Sequence, residues 1–154
     1  MSNESAETQV SVKKISVENE QEWHIARYIR EEVFVKEQNV PLEDEYDEFD
    51  LTATHFLAFH RDQAVGTCRW RYTENGVKLE RFAVLDLARG NGIGSVLVAA
   101  TLKDVNKNIA SEGKMIYLNS QVSAVGLYEK YGFEREGEQF DECGIWHYKM
   151  VKKK

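Results

Sequence analysis

Proline is almost missing from this chain, cysteine nearly so, and basic residues are outnumbered. Pro41 is the only proline, so one break in regular structure is marked, after about residue 40. Cys68 and Cys143 are the only cysteines. They lie far apart and lack the spacing of metal ligands, which excludes a disulfide framework and a zinc finger and leaves both as reduced, structural residues. No metal is expected. Lys and Arg number 20 against 26 Asp and Glu, and the net charge of -6 argues against general affinity for nucleic acid, which needs clustered cations. No apolar run approaches the roughly 20 residues of a membrane-spanning helix, so no membrane partner is expected. Met1 to Thr8 is polar and acidic, without a basic segment leading into an apolar one. It does not read as a signal peptide, and the expected location is cytoplasmic.

What remains suits one folded unit. Hydrophobic residues make up 42% of the 154 and charged residues 30%, and a domain of this length buries about 70% of its unfolded surface. The expectation is a flexible segment over 1-9 and a single domain over 10-154. Val10, Val12, Ile15 and Val17 alternate as a first strand. Glu20 to Lys36 reads as a helix, with Trp23, Ala26, Ile29 and Val33 on one face. The acidic run Glu43 to Asp50 reads either as a solvated loop or as a lid whose carboxylates attract a cationic substrate.

From Thr54 the pattern becomes strands: His55 to His60, Val65 to Tyr72 and Val77 to Val84, joined by tight turns into three antiparallel strands. Alternation along the third puts Glu80 on the face of Phe82 and Val84, unless a bulge changes the phase. A carboxylate on an apolar face has its proton affinity raised by desolvation, which makes Glu80 a candidate general base. Its rival role is ion pairing with Arg69, Arg71 and Arg81.

Three glycines, Gly90, Gly92 and Gly94, then lead into a helix over about Gly92 to Ala110. Glycines let a ligand's oxygens approach main-chain N–H groups, and the start of a helix offers unpaired N–H groups and a partial positive charge. This reads as a phosphate cradle. No Gly-Lys-Ser/Thr follows, which excludes a P-loop, and antiparallel strands precede it, which disfavours a Rossmann unit. Lys114 to Leu118 is a further strand, Ser123 a candidate helix cap, and Phe133 and Ile145 to Val151 mark two closing strands. One α+β domain with a mixed α/β sheet is the simplest account.

In this order the chain resembles the GNAT superfamily of acyl-CoA-dependent N-acetyltransferases. Arg89, Gly92 and Gly94 match its Arg-x-x-Gly-x-Gly signature after the strand Leu79 to Val84, and Asn119, Ala124 and the run Tyr128 to Phe133 look like the second half of the cofactor site. The stretch Arg30 to Gln38, with Glu45, Asp47, Asp50 and Gly144 to His147, is similar to the ElaA-like branch. Leu85 to Ala88 departs from the proline-containing turn of many relatives.

The resemblance implies a largely antiparallel, splayed sheet flanked by helices, and acetyl-CoA as co-substrate. Main-chain N–H groups over Gly90, Asn91, Gly92, Ile93, Gly94 and Ser95 would take the pyrophosphate, beside the charge of Arg89. Phe82, Ala83 and Val84 would pair with the pantetheine arm, capped by Asn119 and Ala124. Transfer proceeds by direct attack of a primary amine on the thioester, with Glu80 as base and Tyr128 as proton donor to the sulfur. Arg30, Glu37, Gln38, Glu45, Asp47 and His147 are the candidate contacts to a small, cationic acceptor, and His147 is also the alternative base. A protein or peptide N-terminus as acceptor, a non-catalytic acyl-CoA-binding module, and a homodimer stay open.

Overall fold

The structure is a computed structural model and describes residues 9-153. The segment expected to be flexible lies outside the described residues, apart from residue 9. Seven strands form one sheet in the order β1-β2-β3-β4-β5-β7-β6: β1 (Val10–Ile15), β2 (Thr54–His60), β3 (Gln63–Thr73), β4 (Gly76–Val84), β5 (Ile116–Gln121), β6 (Phe133–Glu142) and β7 (Ile145–Lys152). Every neighbouring pair is antiparallel except β4 with β5. The three expected hairpin strands are β2 to β4. Arg61 and Asp62, both at positive φ (54° and 66°), make the first of their turns tight enough for the strands to pair from its edge.

Helices cover both faces. On one side, α1 (Glu20–Arg30) begins at Asn19, whose side chain accepts the Glu22 N–H, and buries Ala26 and Ile29 against Leu57 and Ala83. The helical reading of 20-36 is right in extent but not in kind: after Arg30 the chain widens into a π-helical turn over Glu31–Glu37. Such a turn shifts the helix face. Val33 is buried under the sheet while Phe34 and Gln38 reach a cleft at its edge. The run closes at Gln38, and Asn39 takes a positive φ of 61°, ahead of Pro41, which instead starts α2 (Leu42–Glu45), followed by a 3-10 turn over Glu48–Leu51.

On the opposite face lies α3 (Ile93–Lys107), three residues shorter at its C-terminal end than the pattern suggests, because the chain breaks into a separate 3-10 turn at Ile109–Ser111. Ile93, Leu97, Val98 and Val105 pack on Phe56, Val65, Val77 and Leu79. Close approach is possible because β3 carries Gly66, where an added Cβ would stand 2.9 Å from Ile93 Cγ2 and 3.3 Å from Ala83 O. The short α4 (Val125–Glu129) follows a 3-10 turn at Val122–Ala124; Ser123 caps neither. No helix among the described residues is long and apolar enough to cross a membrane.

Candidate active site

Strands β4 and β5 pair only over Val77–Leu79 and Ile116–Leu118, then part. The cause sits in β4. Between the pairs Thr67–Ala83 and Arg69–Glu80 the β3–β4 register shifts by one residue, and Arg81 takes a positive φ of 61°. This bulge bends the strand and exchanges its faces. Val77 and Leu79 face α3 before it, Phe82 and Val84 after it, while Ala83 turns to α1. Glu80 therefore does not share a face with Phe82 and Val84, and the apolar environment expected for it is absent.

Glu80 is held instead in a net of cations. Arg69 Nε and Arg71 Nε each donate to its Oε2 at 2.7 Å, and Lys78 Nζ lies 3.3 Å from Oε1. Burial alone would raise its pKa, but Arg69, Arg71 and Lys78 outweigh burial and hold it below the ordinary carboxylate value. The net continues inward. Arg69 also donates to Asp47 (2.8 and 2.9 Å) and Asp50 (2.6 Å), and the fully buried Arg30 donates to Glu45 Oε2 (2.6 Å) and Asp50 Oδ1 (2.8 Å). Arg30, Asp47 and much of Glu45, expected as acceptor contacts, are thus engaged in this net, Arg30 with Glu45 and Asp50, and Asp47 with Arg69 and Arg81. The acidic run is neither a solvated loop nor a free lid: its inward carboxylates neutralise arginines of α1 and β3 under the sheet.

One carboxyl does have its proton affinity raised. Glu45 is 3% exposed, and its desolvation outweighs Arg30 and Arg81. It lines the cleft left where β4 and β5 part, together with Gln38, Asn119, Tyr128 and His147. Gln38 is tied to the end of β5 by the amide of Gln121, which donates to its Oε1 at 2.8 Å. Tyr128 lies edge-on to Phe82, ring centroids 5.6 Å apart, with its hydroxyl unbonded among the described residues. Burial raises its pKa, so it keeps its proton at neutral pH.

At the far end of β4 a 3-10 turn over Asp86–Ala88 leads into the glycine stretch. Gly90 (φ +85°) and Gly92 (φ +77°) adopt the left-handed conformation in open space, so the turn, not crowding, requires glycine there. Gly92 opens α3 without a side-chain cap, and the first helical bond runs from Val96 N–H to Gly92 O at 3.1 Å. The N–H groups of Ile93, Gly94 and Ser95 have no intrahelical partner. Gly94 has a second reason to be small: its Cβ would meet Leu127 of α4 at 3.3 Å. Asn91 turns back to donate to Ala88 O, and the Ser95 hydroxyl bonds Tyr131.

A parallel pair that opens into a V beside a glycine-led, uncapped helix is a site for an extended ligand with an anionic end. The sequence matches the family described as Acetyltransferase (GNAT) domain over residues 6-154. The chain belongs to the GNAT family of acetyltransferases. It is 39% identical over 142 residues to the uncharacterised N-acetyltransferase YjcF of Bacillus subtilis, covering 92% of this chain and 99% of that one. Among solved structures it is similar to Escherichia coli ElaA (26% identity, TM-score 0.81, covering 93% and 99% of the two chains). It also has the fold of a GNAT acetyltransferase from Elizabethkingia anophelis with acetyl-CoA bound (18% identity, TM-score 0.63, 94% and 95%).

Within this GNAT fold the expected cofactor residues lie on two sides of the V, Phe82 to Val84 and Arg89 to Ser95 on one, Asn119, Ala124 and Tyr128 on the other. Arg89 is already occupied. It donates to Val84 O at 2.9 Å and, through both terminal nitrogens, to Glu37 at 2.7 and 2.9 Å. Glu37, expected as an acceptor contact, is not among the residues lining the cleft; it clamps Arg89 instead. Gln38, Glu45 and His147 do line it.

Phe34 and Glu142 are among the residues of the cleft that escaped sequence reasoning. Phe34 reaches it only through the π-helical turn, and Glu142 only through the fold of β6 onto β7. A strand break at Cys143–Gly144 near His147 was the one signal for the second. Among the described residues no group of three or more His, Cys, Asp or Glu is placed to hold a metal ion.

Proposed function

We propose that this GNAT protein transfers an acetyl group from acetyl-CoA to a primary amine of a small, cationic acceptor. The observation that carries the reading is the parting of β4 from β5 beyond Leu79 and Leu118, next to the uncapped first turn of α3. The residues fit the donor. Open space at Gly90 and Gly92 and the free N–H groups of Ile93, Gly94 and Ser95 suit a pyrophosphate. Beyond the end of the β4–β5 pairing, the inner edges of Phe82 to Val84 and of Asn119 offer main-chain groups to an amide-bearing arm, apart from Val84 O, which Arg89 holds. Bound acetyl-CoA supplies an activated acetyl thioester.

The chain's own groups do the rest. Tyr128 is protonated, has a free hydroxyl and lines the cleft, so it is the donor for a thiolate leaving group. Glu80 also lines the cleft, but with its pKa depressed by Arg69, Arg71 and Lys78 it is a weak base, and we assign it the role of ordering β3 and β4 at the bulge. Gln38 and Gln121 bond each other at the cleft, and α2 adds Asp44 and Glu45 to its lining. These acids suit a cationic amine as acceptor.

The test is a panel of small amines and short peptides incubated with the protein and acetyl-CoA, followed by release of free thiol and product mass. Acetylation of small amines is expected. Tight acetyl-CoA binding by calorimetry without product from any amine would mark a binding module instead, and product from peptides alone would overturn the small acceptor.

A further inference from the structure

The cleft has a second wall, made by the β6–β7 hairpin, that the donor side does not use. His147 of β7 is 8% exposed and its ring stacks on Phe140 of β6 at 5.9 Å and 24°. Its Nδ1 lies 2.8 Å from Ile145 O. A carbonyl oxygen only accepts, so Nδ1 carries the hydrogen, and in the neutral ring Nε2 is left with its lone pair. That atom has no hydrogen-bond partner among the described residues, and His147 lines the cleft.

Glu142, at the end of β6, lines the same cleft. Its Oε1 is one of two buried side-chain atoms without a hydrogen-bond partner among the described residues; the other, Arg81 Nε, has Glu45 Oε2 at 3.5 Å. A buried carboxylate oxygen with nothing donating to it is costly, roughly 1–3 kcal/mol or more for a charged group, and the deficit is met when a ligand brings the donor. Asp44 and Glu45 line the cleft as well, so its acceptor end is acidic. Among the described residues the cations at this end are already paired with other acids: Lys78 lies on Glu80, Arg81 on Glu45 and Asp47, and Arg30 on Glu45 and Asp50.

We infer that Glu142 and His147 form the acceptor's amine site: Glu142 Oε1 accepts a hydrogen bond from the incoming ammonium, and His147 Nε2 takes one proton from it. The step balances simply. The ammonium becomes a neutral amine with its lone pair free, His147 becomes imidazolium with both nitrogens protonated, and that proton leaves to solvent through the open side of the cleft. The carboxylate stabilises the imidazolium as well as the ammonium, so one group serves both states. A compact primary alkylamine is the chemical class that fits. This assignment rests on the reading of the cleft as an acetyltransferase site.

Two measurements on the full chain test it. In the first, imidazole ¹⁵N resonances are followed while propylamine is added, with propanol as the uncharged control. The Nε2 resonance of His147 is expected to shift with propylamine and not with propanol, and the shift should disappear in Glu142→Gln. An equal shift with propanol, or one that survives Glu142→Gln, overturns the assignment. In the second, the best amine of the panel is used in kinetics. His147→Asn keeps an amide donor for Ile145 O but removes the base, and is expected to lower kcat by about 100-fold or more with acetyl-CoA affinity unchanged by calorimetry. Glu142→Gln is expected to raise the amine KM at least about tenfold, the loss of roughly 1.4 kcal/mol, with a smaller change in kcat. Wild-type kcat and KM in both variants overturn the proposal. If wild type acetylates no amine, the transferase reading falls while the resonance titration still decides the amine site.

Discussion

Arg69 and Glu80 face each other across β3 and β4, Nη2 to Oε2 at 2.6 Å, with Arg69 1% exposed. Every nitrogen of that guanidinium is engaged, by Glu80 on one side and by Asp47 and Asp50 on the other. The pair joins the sheet to the 42-51 segment that walls the cleft.

Removing Arg69 takes a shared cation from three carboxylates under the sheet, Glu80, Asp47 and Asp50. Breaking a buried ion pair from one side costs about 3–5 kcal/mol, and Arg69→Met is expected to fall in that range in urea unfolding. Glu80→Gln removes one charge at the rim of the same net and should cost less. Were Glu80 the base, Glu80→Gln would instead abolish turnover with little loss of stability.

The same net sets the acid limit. Against its burial, the Arg69 hydrogen bond and charge hold Asp47 down to about 2, from an ordinary 3.8. A depressed carboxylate contributes stability that is whole above its unfolded pKa and is lost as pH falls through the folded one. Asp50 and Glu80 are depressed and act with the same sign, whereas Glu45, raised by burial, acts with the opposite sign as pH rises above the ordinary 4.5. Stability should therefore drop between about pH 4 and pH 2. Asp47→Asn should be less stable at neutral pH and show a shallower acid slope, read by thermal unfolding across pH.

Glu37 and Arg89 make the second prediction about charge. A carboxylate now neutralises the Arg89 guanidinium, which precedes the free N–H groups of α3 in the chain. Glu37→Gln adds a net positive charge to that loop and is expected to tighten acetyl-CoA binding several-fold at low salt, with the gain shrinking as salt is raised. Calorimetry at two ionic strengths checks this. A weaker complex would mean that Glu37 orients Arg89 rather than competing for it.

Tyr128→Phe separates packing from chemistry. The hydroxyl bonds nothing among the described residues, and the ring's contacts with Phe82 and Phe133 survive the change. The melting temperature should stay within about 2 °C of wild type, because no internal bond is lost. Turnover should fall about 100-fold or more if the hydroxyl protonates the leaving thiolate.

Local rules determined much of this protein from sequence alone. Alternation marked β2 to β4, the 3.6-residue period marked the buried face of α1, and glycines before an apolar helix marked the uncapped start of α3, since each depends on neighbours in the chain. The phase of β4 was not legible. One bulge at Arg81 reverses which face Glu80 occupies, and a bulge is fixed by pairing with β3, not by the residues of β4. The fate of Arg30, Glu37, Glu45 and Asp47 was hidden for the same reason: a charged side chain joins an ion pair or a ligand according to what the fold brings beside it. Glu142 and His147 line one cleft only because β7 lies between β5 and β6. The candidate donor residues cluster in a few short stretches of sequence, whereas the candidate acceptor end is assembled by contacts distant in sequence.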